Sequence, residues 1–147
     1  VHAWMREIAP DNDIFVTAFY GILHRPSGRL TYVRAAQERP LLARPGQPVQ
    51  TLQGDGRFLG MLPDLTLEES AVTLQRGDRL VVFSDGVPDA VNPAGERYAY
   101  ARLHALVEAN AHLPADALRD AIVAAVAAFT RDADAFDDLT LLVTAVV

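Results

Sequence analysis

The chain contains no cysteine among its 147 residues. That absence removes disulfide frameworks, thiolate zinc sites and cysteine nucleophiles together, and a reducing cytoplasm is compatible with it and is the expected location. Long hydrophobic runs are missing too. The longest, "AIVAAVAAF" and "LTLLVTAVV", reach about half of the ~20 residues that span a bilayer, so no membrane insertion is expected. Positive charge is in short supply, with 13 Lys and Arg against 19 Asp and Glu and a formal net charge of -6. This argues against a broad basic face for nucleic acid and suits a cationic partner or a metal better. The opening "VHAWMREIAPD" lacks both an initiator methionine and the basic-then-apolar order of a secretory signal. It reads as the end of a helix, and the sequence is expected to be a fragment.

What is present is a large apolar fraction, 50% of residues, enough to bury the core of a single domain. "IFVTAFYGIL" is dense in aromatic and β-branched residues, and the turn-forming "HRPSGR" separates it from "LTYVRAA". This predicts a hairpin. "RPLLARPG" offers a third extended piece, and Gly46 to Gly60 reads as loop with one edge strand. "TLEESAVTL", the turn "QRGD" and "RLVVFS" predict a second hairpin.

Beyond Tyr98 the period changes. "YAYARLHALVEAN" sets Leu103, Leu106 and Val107 on one helical face, with Asn110 as the stop. A second helix is expected from Pro114, with Asp116 near its positive end and Leu118, Ile122, Val126 and Phe129 in one stripe. The polar "TRDADAFDD" breaks it, and "LTLLVTAVV" is apolar on both faces, as in a central strand. Strands, then two helices, then one strand imply an α+β fold with a mostly antiparallel sheet.

Carboxylates mark both ends of the most apolar strands. "VVFSDGVPDAVN" runs into Asp85 as its strand stops, and "FDDLTLLVTAVV" opens on Asp137 and Asp138. If the two strands pair antiparallel, Asp85 and Asp137 converge, and two close carboxylates repel unless a proton or cation intervenes. Oxygen donors without His or Cys favour Mg²⁺ or Mn²⁺. Gly86 permits close backbone approach there. Ser-Asp-Gly is also an ordinary turn, and Asp-Asp an ordinary polar loop end. His2, His24, His104 and His112 stand at no ligand spacing and read as structural or solvated. "GDGRFLG" lacks the spacing of a phosphate-cradling loop, and "EES" at Glu68 to Ser70 reads as a solvated strand face.

The series "DIFVTAFYGIL", "GRLTYVRAA", "RPLLAR", "LGMLPD", "LQRGDRLVVFSDGVPDAVNPAGERY" and "DDLTLLVTAV" resembles the C-terminal two-thirds of the PPM/PP2C-type serine phosphatase domain of bacterial SpoIIE and RsbU-like regulators. The resemblance implies a PP2C-like antiparallel β-sandwich flanked by helices, with residues 1-147 forming a single partial domain whose N-terminal strands are missing. It implies two Mn²⁺ or Mg²⁺ ions, with Asp85 and Asp137 as ligands that act through a metal-bound water attacking phosphoserine. Gly86, Asp89 and Asp138 would support them. The implied partner is a phosphorylated anti-sigma-factor antagonist, with a sensor or receiver domain upstream, and the missing strands would leave edges that invite a homodimer. In the family a Gly-His pair usually stands where this chain has Ala36-Gln37. A catalytically inactive phosphatase-like binding module is the rival expectation, and a carboxylate-metal nuclease a third that the acidic charge disfavours.

Overall fold

A computed structural model describes residues 1–8, 14–61, 64–131 and 137–147. The chain divides into two compact units, Val1–Arg39 with Gln53–Leu74, and Pro40–Leu52 with Gln75–Val147.

The first unit begins with α1 (His2–Ile8), whose Met5 is buried. The predicted hairpin forms from β1 (Ala18–His24) and β2 (Arg29–Ala35), paired antiparallel from Ala18↔Ala35 to His24↔Arg29. β1 starts later than the apolar run does, and Val16 makes only an isolated bridge to Leu59. Leu30 and Tyr32 are buried two residues apart on β2, the alternation that turns one strand face inward. β5 (Ser70–Thr73) completes a three-stranded sheet in the order β1-β2-β5. Its placement is held at the turn by Gly28, whose φ is +68° and where a Cβ would lie 2.4 Å from the Leu74 carbonyl oxygen.

The second unit carries β3 (Leu41–Ala43), the two-residue β4 (Gln50–Thr51), β6 (Arg79–Phe83) and β7 (Leu141–Ala145), ordered β4-β3-β6-β7 with every ladder antiparallel. The edge strand expected in the Gly46 to Gly60 region is β4. α2 (Ala99–Ala109) buries Leu103 and Val107, and α3 (Ala115–Thr130) buries Leu118, Ile122 and Val126. These i, i+4 positions lie one above the other on a helix, so both stripes reach a single core with Leu41, Val81, Phe83, Val87 and Tyr98. Asn110 caps α2 as expected, and Pro114 stands one position before α3, where its missing N–H costs nothing. The helix breaker is in part outside the described residues, which resume at Asp137. Residues 9–13 of the opening segment and 62–63 of "LGMLPD" also lie outside them.

Two expectations are corrected. The second hairpin does not form: β5 pairs with β2, while β6 pairs with β3 and β7. The "QRGD" turn that was expected to close it instead takes the chain from one sheet to the other, and Asp78 at its end is buried in an ion pair with Arg44. β7 is not central among the described strands but lies at the end of its sheet, with Leu142 56% exposed, although α3 covers its other face. An apolar residue on each face therefore does not by itself require two covered faces.

Candidate metal-binding site

Asp85 and Asp137–Asp138 are brought to adjacent strand ends by the β6–β7 ladder. Its register runs from Arg79↔Ala145 to Phe83↔Leu141, and one further bond, from the Ser84 amide to the Thr140 carbonyl at 3.0 Å, extends it toward the aspartates. Beyond that point the chains stay close: a Cβ on Gly86 would sit 2.5 Å from the Asp138 carbonyl oxygen. The Ser84 hydroxyl joins the two segments again, donating to the Asp138 carbonyl at 3.0 Å and accepting from the Thr140 amide at 2.9 Å.

The turn after β6 is anchored from within. Val87 and Pro88 are fully buried, whereas Asp85 between Ser84 and Gly86 is exposed. The Val87 amide donates to the Ser84 carbonyl at 3.2 Å, and the Asp89 amide to the Asp85 carbonyl at 2.9 Å. An apolar anchor thus fixes a turn whose carboxylate faces out. Asp89 is committed elsewhere, since Arg97 donates to it at 2.8 Å. Arg97 stands on the far side of a small turn closed by the Val91↔Arg97 bridge and by Asn92, whose side-chain oxygen accepts from the amides of Ala94 and Glu96. Across the strand gap, Asp137 accepts from the Asp138 amide at 2.7 Å, and both residues are exposed.

Asp85, Asp137 and Asp138 make no ion pair with Lys, Arg or His among the described residues. Carboxylates presented from two neighbouring loops, with no ion-pair partner among the described residues, are hard oxygen donors of the kind that fits Mg²⁺ or Mn²⁺. By themselves they would make only part of a coordination shell: no three His, Asp or Glu side chains gather into a metal-binding group among the described residues. The histidines lie elsewhere. The His24 ring is 2.7 Å from the Ser27 hydroxyl, the His104 ring 3.2 Å from the Thr51 hydroxyl, and His2 accepts from the Gly60 amide at 3.0 Å.

Reasoning from the sequence missed Ser84 and Arg97. Ser84 is the first letter of the Ser-Asp-Gly motif, and its hydroxyl beside a strand end was the available signal. Arg97 had none, because it reaches Asp89 only through the fold of the intervening turn. At Ala36-Gln37 the backbone of Ala36 holds φ +53°, a conformation that favours glycine. Gln37 accepts from the Thr17 hydroxyl at 2.8 Å and, through its carbonyl, from Arg34 at 2.6 Å.

This arrangement of helices and antiparallel sheets is the PP2C-like phosphatase fold. The SiaA-PP2C domain of Pseudomonas aeruginosa superposes with a TM-score of 0.86 at 22% identity, over 98% of this chain and 57% of that one. The catalytic domain of the serine/threonine protein phosphatase PstP, in complex with 2 manganese ions, gives a TM-score of 0.66 at 20% identity, over 99% and 65%. In sequence, Protein IcfG of Synechocystis sp. is 27% identical over 132 residues, 90% of this chain but 21% of IcfG. The sequence model of the Stage II sporulation protein E (SpoIIE) family matches residues 2–147, and the chain belongs to that family. Among the described residues, no helix is long and apolar enough to cross a membrane.

Proposed function

We propose that the chain is the larger part of a divalent-metal-dependent protein serine phosphatase domain, with Asp85 and Asp137 as metal ligands and Gly86, Asp89 and Asp138 in support. The observation that carries this reading is the convergence of the Asp85 turn and the Asp137–Asp138 loop at one end of the β6–β7 ladder, with no ion pair to either among the described residues. Mn²⁺ or Mg²⁺, two ions in the intact domain, would supply Lewis acidity at a phosphoryl oxygen and lower the pKa of an attacking water. The chain's own residues hold the donors. Buried Val87 and Pro88 fix the turn, the Asp89–Arg97 pair steadies its far end, and Gly86 lets the two backbones meet. The rest of the shell would come from water and from carboxylates outside the described residues.

The substrate we propose is a phosphoserine on an anti-sigma-factor antagonist, following the family resemblance, and not nucleic acid. A net charge of -6 gives no counterion-release gain on a polyanion. The absence of a three-ligand group among the described residues favours one rival, a phosphatase-like module that docks the same phosphoprotein without turnover. Phosphate release from a phosphorylated antagonist domain, measured with and without Mn²⁺, separates the two. Mn²⁺-dependent release that Asp85→Asn abolishes supports the enzyme, and binding without release supports the module. Undiminished turnover in Asp85→Asn overturns the ligand assignment, and tight, salt-sensitive binding to duplex DNA overturns the substrate class.

A further inference from the structure

We propose that Ser84 is the positioning residue of this site, its hydroxyl fixing the Asp85 turn to the Asp137–Asp138 loop. The inference rests on the reading of those aspartates as metal ligands. In an antiparallel ladder, a hydrogen-bonded pair exchanges two bonds, each amide donating to the other residue's carbonyl. Ser84 and Thr140 make only the first of these, from the Ser84 amide to the Thr140 carbonyl at 3.0 Å. The reciprocal bond is diverted: the Thr140 amide donates to the Ser84 hydroxyl at 2.9 Å. The Ser84 carbonyl is thereby released to accept from the Val87 amide at 3.2 Å, the bond that closes the turn bearing Asp85.

The hydroxyl then uses its own proton. It donates to the Asp138 carbonyl at 3.0 Å, which ties down the loop that presents Asp137 and Asp138. One oxygen accepting from one residue and donating to another is within the capacity of Ser or Thr and beyond that of Ala or Val. Without it the Thr140 amide would lose its acceptor, since the Ser84 carbonyl is already held by the Val87 amide, and the Asp138 carbonyl would lose its donor. The two carboxylate-bearing segments would then be joined by a single ladder bond and by van der Waals contact at Gly86.

The test uses the full chain and Mn²⁺ alone, with free Mn²⁺ measured by electron paramagnetic resonance and amide hydrogen exchange at Thr140 as a metal-free readout. Ser84→Ala should weaken Mn²⁺ binding about tenfold, the usual scale for removing a group that orients a ligand, and should speed exchange at Thr140. Ser84→Thr should restore both to near the parent values. If Ser84→Ala does not fold, Ser84→Val against Ser84→Thr makes the same comparison at matched shape, and equal Mn²⁺ affinities overturn the proposal. So does parental behaviour in Ser84→Ala while Asp85→Asn abolishes binding, which leaves the metal reading standing. Mn²⁺ affinity unmoved by Asp85→Asn removes the metal reading, and the role of Ser84 with it.

Discussion

Asp78, 1% exposed at its side chain, is gripped by Arg44 at both carboxylate oxygens, Nε to Oδ1 and Nη2 to Oδ2, each at 2.8 Å. The Gln75 amide adds a third bond to Oδ2 at 2.8 Å. Burial alone would raise the Asp78 carboxyl, but the bonds from Arg44 and Gln75, with the charges of Arg44 and Arg79, outweigh it and hold the group below the usual carboxylate range. A lowered folded-state value means stability that is present above pH 3.8 and is lost as pH falls through that lower value. Thermal melting followed from pH 6 downward should therefore show a steeper acid loss in the parent chain than in Asp78→Asn. At neutral pH the variant should be less stable by about 2–4 kcal/mol, because the carboxylate charge facing Arg44 is lost and the Asn NH₂ group would meet N–H donors of Arg44 or Gln75 in a buried position. Equal acid slopes in the two proteins would show that the pair does not carry this dependence.

Ala36 and Ala99 hold φ of +53° and +68°, where an L-residue's Cβ crowds its own backbone. The strain is about 1–2 kcal/mol per residue, offset in part by the larger unfolded-state entropy of glycine. Ala36→Gly and Ala99→Gly should each stabilise the protein by about 0.5–1 kcal/mol, a rise in melting temperature of roughly 1–4 °C for a chain of this size. A fall in melting temperature for either variant would show that its methyl makes packing contacts worth more than the strain.

Ile122 is fully buried in the cluster that also takes Leu103, Val107, Phe83 and Val81. Ile122→Ala should cost about 2–5 kcal/mol, whereas Val123→Ala, on the neighbouring 43% exposed side chain, should cost well under 1 kcal/mol. Denaturant melts of the two variants measure the difference. Similar losses would mean that α3 does not present this stripe to the core.

The helices were legible in the sequence because their signal is local. Leu118, Ile122 and Val126 repeat at the helical period, and Asn110 and Pro114 punctuate it. The β1–β2 hairpin was legible for the same reason, its turn lying between its strands. The pairing of β6 with β7 was inferred from apolarity across some 60 intervening residues, and this pairing is what brings Asp85 toward Asp137. What could not be read was sheet membership. β5 and β6 are joined by a short turn, as a hairpin would be, but β5 pairs with β2 and β6 with β3 and β7, pairings across tens of residues that no local signal marks. Single side-chain contacts leave no period in a sequence, so Arg44–Asp78 and Arg97–Asp89 were invisible while the apolar stripes were not.

Gly86 tests how tightly the two aspartate-bearing segments meet. A Cβ there would lie 2.5 Å from the Asp138 carbonyl oxygen, 2.9 Å from the Asp138 carbonyl carbon and 3.3 Å from the Leu139 Cα. All three are backbone atoms, so no side chain can swing away to make room. Either the turn carrying Asp85 or the loop carrying Asp137 and Asp138 must retreat. Gly86→Ala should cost about 1–3 kcal/mol of stability, the usual penalty for an extra methyl in a filled space. Because the retreat separates the carboxylates, Mn²⁺ affinity should fall about tenfold or more. Gly95→Ala is the control: that residue has φ of +81° with nothing within 4 Å of an added Cβ, so it should lose stability by backbone strain alone and keep its Mn²⁺ affinity. Stability loss in both variants with Mn²⁺ binding lost only at position 86 would place the effect at the close approach. Parental melting and Mn²⁺ affinity in Gly86→Ala would mean that the segments stand further apart than described, and the case for a shared ion between Asp85 and Asp137 would fail.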